Sequence, residues 1–236
     1  MSNNYCLLFS LSIVSLIAVA CGVPHPILSG SAADSAPVIM AGMKIDPPID
    51  LSTAKVKGEQ TIVLAGGCFW GIEAVFEHLK GVSSVVSGYS GGTAATANYE
   101  TVSTGTTGHA EAVKITYDPQ QISLGKLLKI HFLIAHDPTQ VNRQEPDSGT
   151  QYRSAIFFSS PEQQKVAKAY IDKLNKAHVF LEPIATQVVA LTKFYAAEDY
   201  HQNFIKRNPT QAYIVRFDLP KLAQLRQQFP TLIKKS

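Results

Sequence analysis

The sequence has 236 residues, of which 45% are hydrophobic and 17% are charged, a composition that suffices for one sizeable buried core. Its formal net charge is only +3, and no run of consecutive lysines and arginines is longer than two residues. It therefore lacks the basic stripe that nucleic-acid binding requires. We therefore expect no nucleic-acid partner.

The N-terminus carries an apolar run from Leu7 to Ala20, which is short for a transmembrane helix and typical of the core of a signal peptide. Small residues precede Cys21, a pattern similar to the lipidation box of bacterial lipoproteins. No lysine or arginine precedes Lys44, so the basic leader that is usual before a signal-peptide core is missing. We interpret residues 1–21 as a signal peptide, with lipidation at Cys21, ordinary cleavage or a buried helix as alternatives. The chain is then exported, either to the periplasm or as a lipoprotein anchored in the membrane through Cys21.

Residues 22–58 contain five prolines and several serines and glycines but little apolar periodicity. This composition predicts a flexible linker in front of a folded domain over residues 59–236. The three cysteines are Cys6, Cys21 and Cys68, so the domain holds one thiol and a disulfide framework is excluded. Such a lone cysteine is either buried and inert or reactive.

Within the domain, predicted strands alternate with predicted helices. Apolar runs and period-two alternation predict strands over 60–65, 82–89, 111–117, 151–158 and 184–190. Helical spacing and capping residues predict helices over 69–79, 124–135, 161–177, 196–206 and 219–229. The polar loops 91–108 and 136–150 are unusually long, which makes them candidates for function. The alternation predicts an α/β or α+β sandwich.

Cys68 lies between a predicted strand and a predicted helix, directly after Gly66 and Gly67. The N–H groups of a helix N-terminus favour a thiolate, so we expect the pKa of Cys68 to be lowered. Phe69 and Trp70 follow, and an apolar wall beside a reactive sulfur suits a small uncharged group such as a methyl. The alternative is that both aromatic side chains are ordinary core residues.

Glu111 shares the apolar face of its predicted strand with Val113, Ile115 and Tyr117. Burial on that face would raise the pKa of the carboxyl and keep it protonated near neutral pH, as a general acid requires. The alternative is a solvated position at the frayed start of the strand. The histidines show no pair at metal-ligand spacing, so we expect no metal site.

Seven short segments of the domain match one protein family and occur in the same order as in that family. They are Gly67–Gly71, Gly88–Gly92, Asn98–Glu100, Gly108–Val113, His136–Gln140, Gly149–Ser154 and Ala197–Gln202. Together they resemble the A-type peptide methionine sulfoxide reductases, which act on the S epimer. The resemblance implies a two-layer α/β sandwich around a mixed sheet, with a ferredoxin-like core, in a single catalytic domain.

The resemblance implies that Cys68 is the nucleophile and that Glu111 protonates the sulfoxide oxygen. The implied substrate-binding residues are Phe69, Trp70, Tyr99, Asp147 and Tyr152. In the family, the first two hold the substrate methyl, the tyrosines hydrogen-bond the oxygen, and the aspartate reaches the substrate through water. The implied reaction reduces methionine S-sulfoxide, free or in oxidised proteins, to methionine, leaves Cys68 as a sulfenic acid and needs no bound cofactor.

The chain departs from the family pattern in its cysteines. Many members carry resolving cysteines near the C-terminus, whereas here no cysteine follows Cys68. We therefore expect an external thiol, thioredoxin-like or dithiothreitol, to reduce the sulfenic acid directly. The loop Arg143–Asp147 and Ala196 also differ from the usual residues.

Two other functions are compatible with the residues. Cys68 paired with His109 or His201 would make a cysteine hydrolase, which needs no reductant. A lipoprotein that has the fold without the activity is the second alternative. Thiol-dependent reduction of a single epimer distinguishes the reductase from both.

Overall fold

The computed structural model describes residues 44–50 and 58–235, all of which lie within one compact unit. The predicted signal peptide, with Cys6 and Cys21, and most of the predicted linker lie outside the described residues, so both stay predictions. Within the described ranges, no helix is long and apolar enough to cross a membrane.

The strands and helices follow one another along the whole domain. The strands are β1 (Gln60–Ala65), β2 (Val82–Ser90), β3 (Ala110–Tyr117), β4 (Arg143–Gln144), β5 (Asp147–Ser148), β6 (Ala155–Phe158), β7 (Gln187–Ala190) and β8 (Phe194–Ala196). The α-helices are α1 (Phe69–Glu77), α2 (Tyr99–Val102), α3 (Leu124–Ile130), α4 (Pro161–Lys176), α5 (Phe204–Arg207) and α6 (Leu219–Gln228). A π-helical turn, His131–Ala135, extends α3, and another, Ile214–Asp218, precedes α6.

Six of the described strands form one sheet in the order β7-β6-β1-β3-β2-β8, while β4 and β5 form a separate hairpin. Neighbouring strands of the sheet are antiparallel, except that β6 and β7 are parallel. The predicted α/β architecture around a mixed sheet is therefore confirmed.

The two faces of the sheet bury different side chains. In β1, Ile62 and Leu64 face the large core shared with the helices, whereas Val63 and Ala65 face a smaller cluster made mostly of alanines. The chain from the end of β7 to the start of β8 spans only about 13 Å when extended. These strands form opposite edges of a six-stranded sheet, which would be about 24 Å wide if it were flat. The sheet must therefore curl around its alanine-rich face.

The predicted secondary structure differs from the structure at several places, two of which matter most for the site. The strand predicted over 151–158 begins only at Ala155, because Thr150–Tyr152 form a 3₁₀ turn. The helix predicted over 196–206 is instead the end of β8, a 3₁₀ turn and the short helix α5. Asn203 interrupts it, since its φ of +53° lies in the left-handed region.

Residues 44–50, which the sequence assigns to the linker, contact the domain. Asp46 forms an ion pair with Lys129 at 2.8 Å, and the Tyr170 hydroxyl donates a hydrogen bond to the Ile45 carbonyl at 3.0 Å. Asp50 accepts the N–H of Gly125 in the first turn of α3. This part of the predicted linker is therefore bound to α3 and α4.

Candidate active site

Cys68 is the N-cap residue of α1 and follows the end of β1, where the sequence predicts it. The two glycines before it are closely packed. A Cβ on Gly66 would lie 2.6 Å from the His136 ring, and one on Gly67 would lie 2.6 Å from Cγ of Gln144. Gly67 also has a φ of +93°, which favours glycine. The turn that carries the sulfur is thus fixed by side chains of the loop 136–150.

Gly66→Ala is expected to destabilise the domain by about 1–3 kcal/mol, as overpacking of a closely packed site does. The His136 ring cannot easily yield, because its nitrogens lie 2.9 Å from the His131 carbonyl and 2.7 Å from the Ser154 hydroxyl. Equilibrium urea unfolding measures the loss. In a His136→Ala background the same substitution should cost much less, and an equal cost there would contradict the proposed overlap.

The protonation state of Cys68 differs from the prediction. Although the residue is partly exposed, burial of the sulfur raises the pKa of its thiol well above the ordinary value, and Glu111, Asp218 and Asp147 raise it further. The N–H of Trp70, in the first turn of α1, opposes these effects without outweighing them. The predicted lowering of the pKa is therefore wrong, because burial of the sulfur, reinforced by three acidic side chains, outweighs the effect of the helix N-terminus. The resting site holds a thiol.

Glu111 lies near Cys68 in a buried setting. Its side chain is 1% exposed, and Oε2 accepts the N–H of Phe69 at 3.1 Å. Burial raises the pKa of this carboxyl to about 8; the Phe69 hydrogen bond opposes the shift and Asp147 adds to it. The carboxyl is therefore mostly protonated near neutral pH, and the solvated alternative does not hold.

Tyr99 and Tyr152 lie close to both groups. Burial raises the pKa of each phenol, and the charges of Glu111 and Cys68 raise it further. The Tyr152 carbonyl accepts the N–H of Gly67 at 3.1 Å, which ties the 3₁₀ turn to the turn before the sulfur. Both hydroxyls are thus neutral hydrogen-bond donors near neutral pH.

The two aromatic residues after Cys68 have different environments. Phe69 is fully buried, and its ring packs against His201 at a centroid distance of 4.9 Å. Trp70 is partly exposed, and its indole stacks on the Phe204 ring with centroids 3.7 Å apart and planes 7° apart. Its indole N–H donates a hydrogen bond to Nδ1 of His201 at 3.1 Å. Trp70 therefore forms an accessible apolar wall, whereas Phe69 supports it from the core.

Asp147, on β5, also reaches this site. Its Oδ2 accepts a hydrogen bond from the Tyr213 hydroxyl, and the Tyr213 ring meets Trp70 edge-on at 6.2 Å. Burial raises the pKa of Asp147, while the bond from Tyr213 and the charge of Lys221 oppose the rise. The hairpin β4–β5 thus places Asp147 beside Tyr213, whose ring contacts the Trp70 indole.

Sequence reasoning missed four residues that hold these groups in place, namely Glu198, Phe204, Tyr213 and Asp218, whereas it considers His201 as a hydrolase partner. Glu198 accepts the backbone N–H of Tyr99 and the hydroxyl of Tyr89, both at 2.9 Å. Glu198 and His201 lie in a segment that matches the family, which is the signal that could have found Glu198. Nothing in the local sequence marks Tyr213 or Asp218.

The cysteine-hydrolase alternative gains no support from the histidines. The ring nitrogens of His109 lie 2.9 Å from the Thr93 carbonyl and 3.2 Å from the Gly92 nitrogen, and His201 receives the Trp70 N–H. Neither histidine forms a hydrogen bond with Cys68 in the described structure. The same ranges contain no cluster of three or more histidine, cysteine or acidic residues that could hold a metal ion.

Comparisons with known proteins agree with this geometry. The family model for peptide methionine sulfoxide reductase matches residues 60–232. Peptide methionine sulfoxide reductase MsrA 2 from Synechocystis sp. is 54% identical over 191 residues, which cover 80% of this chain and 89% of the relative. MsrA 2 from Mesorhizobium japonicum is 55% identical over 175 residues, covering 74% and 90%.

Solved structures show the same likeness. Reduced Mxr1 from Saccharomyces cerevisiae has a TM-score of 0.59 and 35% identity, covering 64% of this chain and 87% of its own. Methionine sulfoxide reductase A of Corynebacterium diphtheriae has a TM-score of 0.57 and 36% identity, covering 66% and 77%. The chain therefore belongs to the peptide methionine sulfoxide reductase family, as an oxidoreductase of its A type.

Proposed function

We propose that the chain carries out the reaction of its family, the thiol-dependent reduction of methionine S-sulfoxide, with Cys68 as nucleophile and Glu111 as proton donor. The observation that supports these roles is the hydrogen bond from the Phe69 N–H to Glu111, which sets a buried, protonated carboxyl beside the thiol. The substrate is free methionine sulfoxide or the same residue in oxidised proteins, and the reaction repairs them after oxidative stress.

In the first step the Cys68 sulfur attacks the sulfoxide sulfur while Glu111 gives its proton to the sulfoxide oxygen. The oxygen then passes to Cys68 as the thioether leaves, and the proton lost by the thiol restores Glu111. A thiol and a sulfoxide thus become a sulfenic acid and a thioether. Cys68 is oxidised by two electrons, and the methionine sulfur is reduced by two.

The remaining site residues bind the substrate. The hydroxyls of Tyr99 and Tyr152 donate hydrogen bonds to the oxygen as negative charge grows on it. Trp70, supported by Phe69, contacts the methyl group. Asp147 contacts the substrate through water, and its bond with Tyr213 keeps it oriented.

An external thiol completes the cycle. Cys68 is the free cysteine of the described residues, and no cysteine follows it in the sequence. A thioredoxin-like protein or dithiothreitol attacks the sulfenic sulfur, water leaves and a mixed disulfide forms; a second thiol then releases Cys68. No bound cofactor is needed, because the reductant supplies both electrons.

A single-turnover experiment tests this proposal. Without reductant, the whole chain and an excess of a peptide carrying the S-sulfoxide should yield about one methionine per chain and then stop. Dimedone should then label Cys68, and dithiothreitol should restore continuous turnover. The R epimer serves as the control and should not react. Peptide cleavage without reductant would favour the hydrolase, and no reduction of either epimer would contradict the proposal.

Export is a second proposal, supported by the apolar run Leu7–Ala20 and by the small residues before Cys21. Residues 1–21 act as a signal peptide that leads to the periplasm or to a membrane anchor on Cys21. Metabolic labelling with a fatty acid distinguishes the two destinations, because only an anchored chain takes up the label and loses it in Cys21→Ser.

We also propose a ferredoxin-like core for the domain. The supporting observation is the order β6-β1-β3-β2 at the centre of the sheet, with α1 between β1 and β2 along the chain and α3 between β3 and β6.

A further inference from the structure

The segment 201–204 holds the indole of Trp70 on two sides. His201 accepts the indole N–H through Nδ1, and the Phe204 ring lies flat against the indole. The position of the apolar wall beside Cys68 therefore depends on where this segment is fixed.

One attachment of the segment is to β2. Oε1 of Gln202 accepts the N–H of Ser87 at 3.0 Å, and its Nε2 donates to the Ser87 carbonyl at 3.0 Å. The next residue, Asn203, has a left-handed φ of +53°, a conformation that costs energy for a residue with a side chain. A turn of this kind persists only if its neighbours hold it.

Glu73 provides the second attachment. Its Oε2 accepts the N–H of Asn203 at 3.0 Å, and its side chain is 1% exposed. Glu73 lies three residues after Trp70 on α1, so both side chains face the same segment. Burial raises the pKa of this carboxyl to about 7, and the N–H groups of Asn203 and Phe204 oppose the shift. A buried carboxyl costs free energy unless hydrogen bonds compensate for its lost hydration. The hydrogen bond from the Asn203 N–H to Glu73 is therefore expected to constrain the position of Asn203.

We propose that Glu73 is a positioning residue for the substrate pocket, which it shapes by holding the Asn203 N–H and thereby fixing Phe204 against Trp70. This inference rests on the proposed function, because it is there that Trp70 is assigned to the substrate methyl. Glu73 acts on the pocket through its hydrogen bond with Asn203. It fixes the position of the Trp70 indole, which the substrate methyl contacts.

The test combines kinetics with the fluorescence of Trp70, which is the only tryptophan of the chain. Glu73→Ala removes the carboxylate that accepts the Asn203 N–H, and Glu73→Asp shortens the side chain by one methylene. Glu73→Gln keeps an acceptor oxygen in place. We expect the Ala and Asp variants to raise KM for the sulfoxide peptide about 5- to 20-fold while kcat changes less than about 3-fold. Their Trp70 emission should shift to longer wavelength, and the Gln variant should restore both quantities.

Two further variants make the test specific. Phe204→Leu should reproduce the KM and emission of Glu73→Ala, and combining the two should add little, because both act through one contact. Glu182→Ala removes an exposed carboxylate from the loop after α4, away from this segment, and should change neither quantity.

An unchanged KM and emission in a folded Glu73→Asp variant, or equal changes in Glu182→Ala, would overturn the proposal. Emission requires no turnover, so the test of Glu73 stays separate from the test of function. If the proposed function fails, the wild type is inactive while the emission of the Glu73 variants still shifts.

Discussion

Cys68→Ser is expected to lower kcat/KM for the S-sulfoxide peptide by at least about 10⁴-fold, which amounts to loss of the activity. A serine hydroxyl is a much weaker nucleophile than a thiol towards sulfur. It also cannot take the oxygen, because the product would need an O–O bond instead of the S–O bond of a sulfenic acid. Methionine release measured by chromatography, with dithiothreitol in excess, checks the prediction.

The fold of this variant should be intact, which separates loss of chemistry from loss of structure. The Cys68 side chain makes no capping hydrogen bond to α1, and serine is a favourable N-cap residue. We therefore expect the thermal midpoint to be unchanged or slightly raised. Cys21→Ser is the matched control and should keep the activity. Turnover at the wild-type rate in Cys68→Ser would show that another group is the nucleophile.

The setting of the two reactive groups could be predicted from local sequence, but the charge state of the thiol could not. Alternation along a strand places Glu111 on an apolar face, and the side chain is indeed buried in β3. The glycine pair before Cys68 likewise predicts the turn at the start of α1. The direction of the thiol pKa shift, however, depends first on burial of the sulfur and then on Glu111, Asp218 and Asp147, which surround the sulfur only in the folded domain.

The same distinction applies to the fold. Apolar runs or period-two alternation identify β1, β2 and β3, because each of these strands is long enough to show a pattern. The hairpin β4–β5 and the edge strand β8 have two or three residues each, too few to show a period. Their partners are decided by tertiary contacts, and the curl of the sheet brings β8 beside β2. The prediction of one helix over 196–206 therefore misses the end of β8, the interruption at Asn203 and the contact of Phe204 with Trp70.

Glu111→Gln is expected to lower kcat/KM by about 10²- to 10⁴-fold, the range over which a positioned general acid contributes. The amide has nearly the same shape and can still accept the Phe69 N–H, but it cannot protonate the sulfoxide oxygen. In the wild type, the rate should fall as pH rises through about 8, because Glu111 loses the proton it must donate. The variant should lack this fall, and initial rates between pH 6 and pH 9.5 test it. A wild-type rate and profile in Glu111→Gln would contradict the role of general acid.

The same carboxyl links stability to pH, which provides an independent check on its protonation. Its pKa is raised from 4.5 to about 8 on folding, so between these values the folded chain keeps a proton that the unfolded chain releases. The contribution of Glu111 to stability is therefore fully present below pH 4.5 and is lost as pH rises through about 8. Glu111→Gln removes this dependence. The thermal midpoint of the variant should therefore rise relative to that of the wild type as pH increases from 4.5 to about 8. A constant difference between the two midpoints would mean that Glu111 is already ionised in the folded chain, and the proton it donates would then have to come from another group.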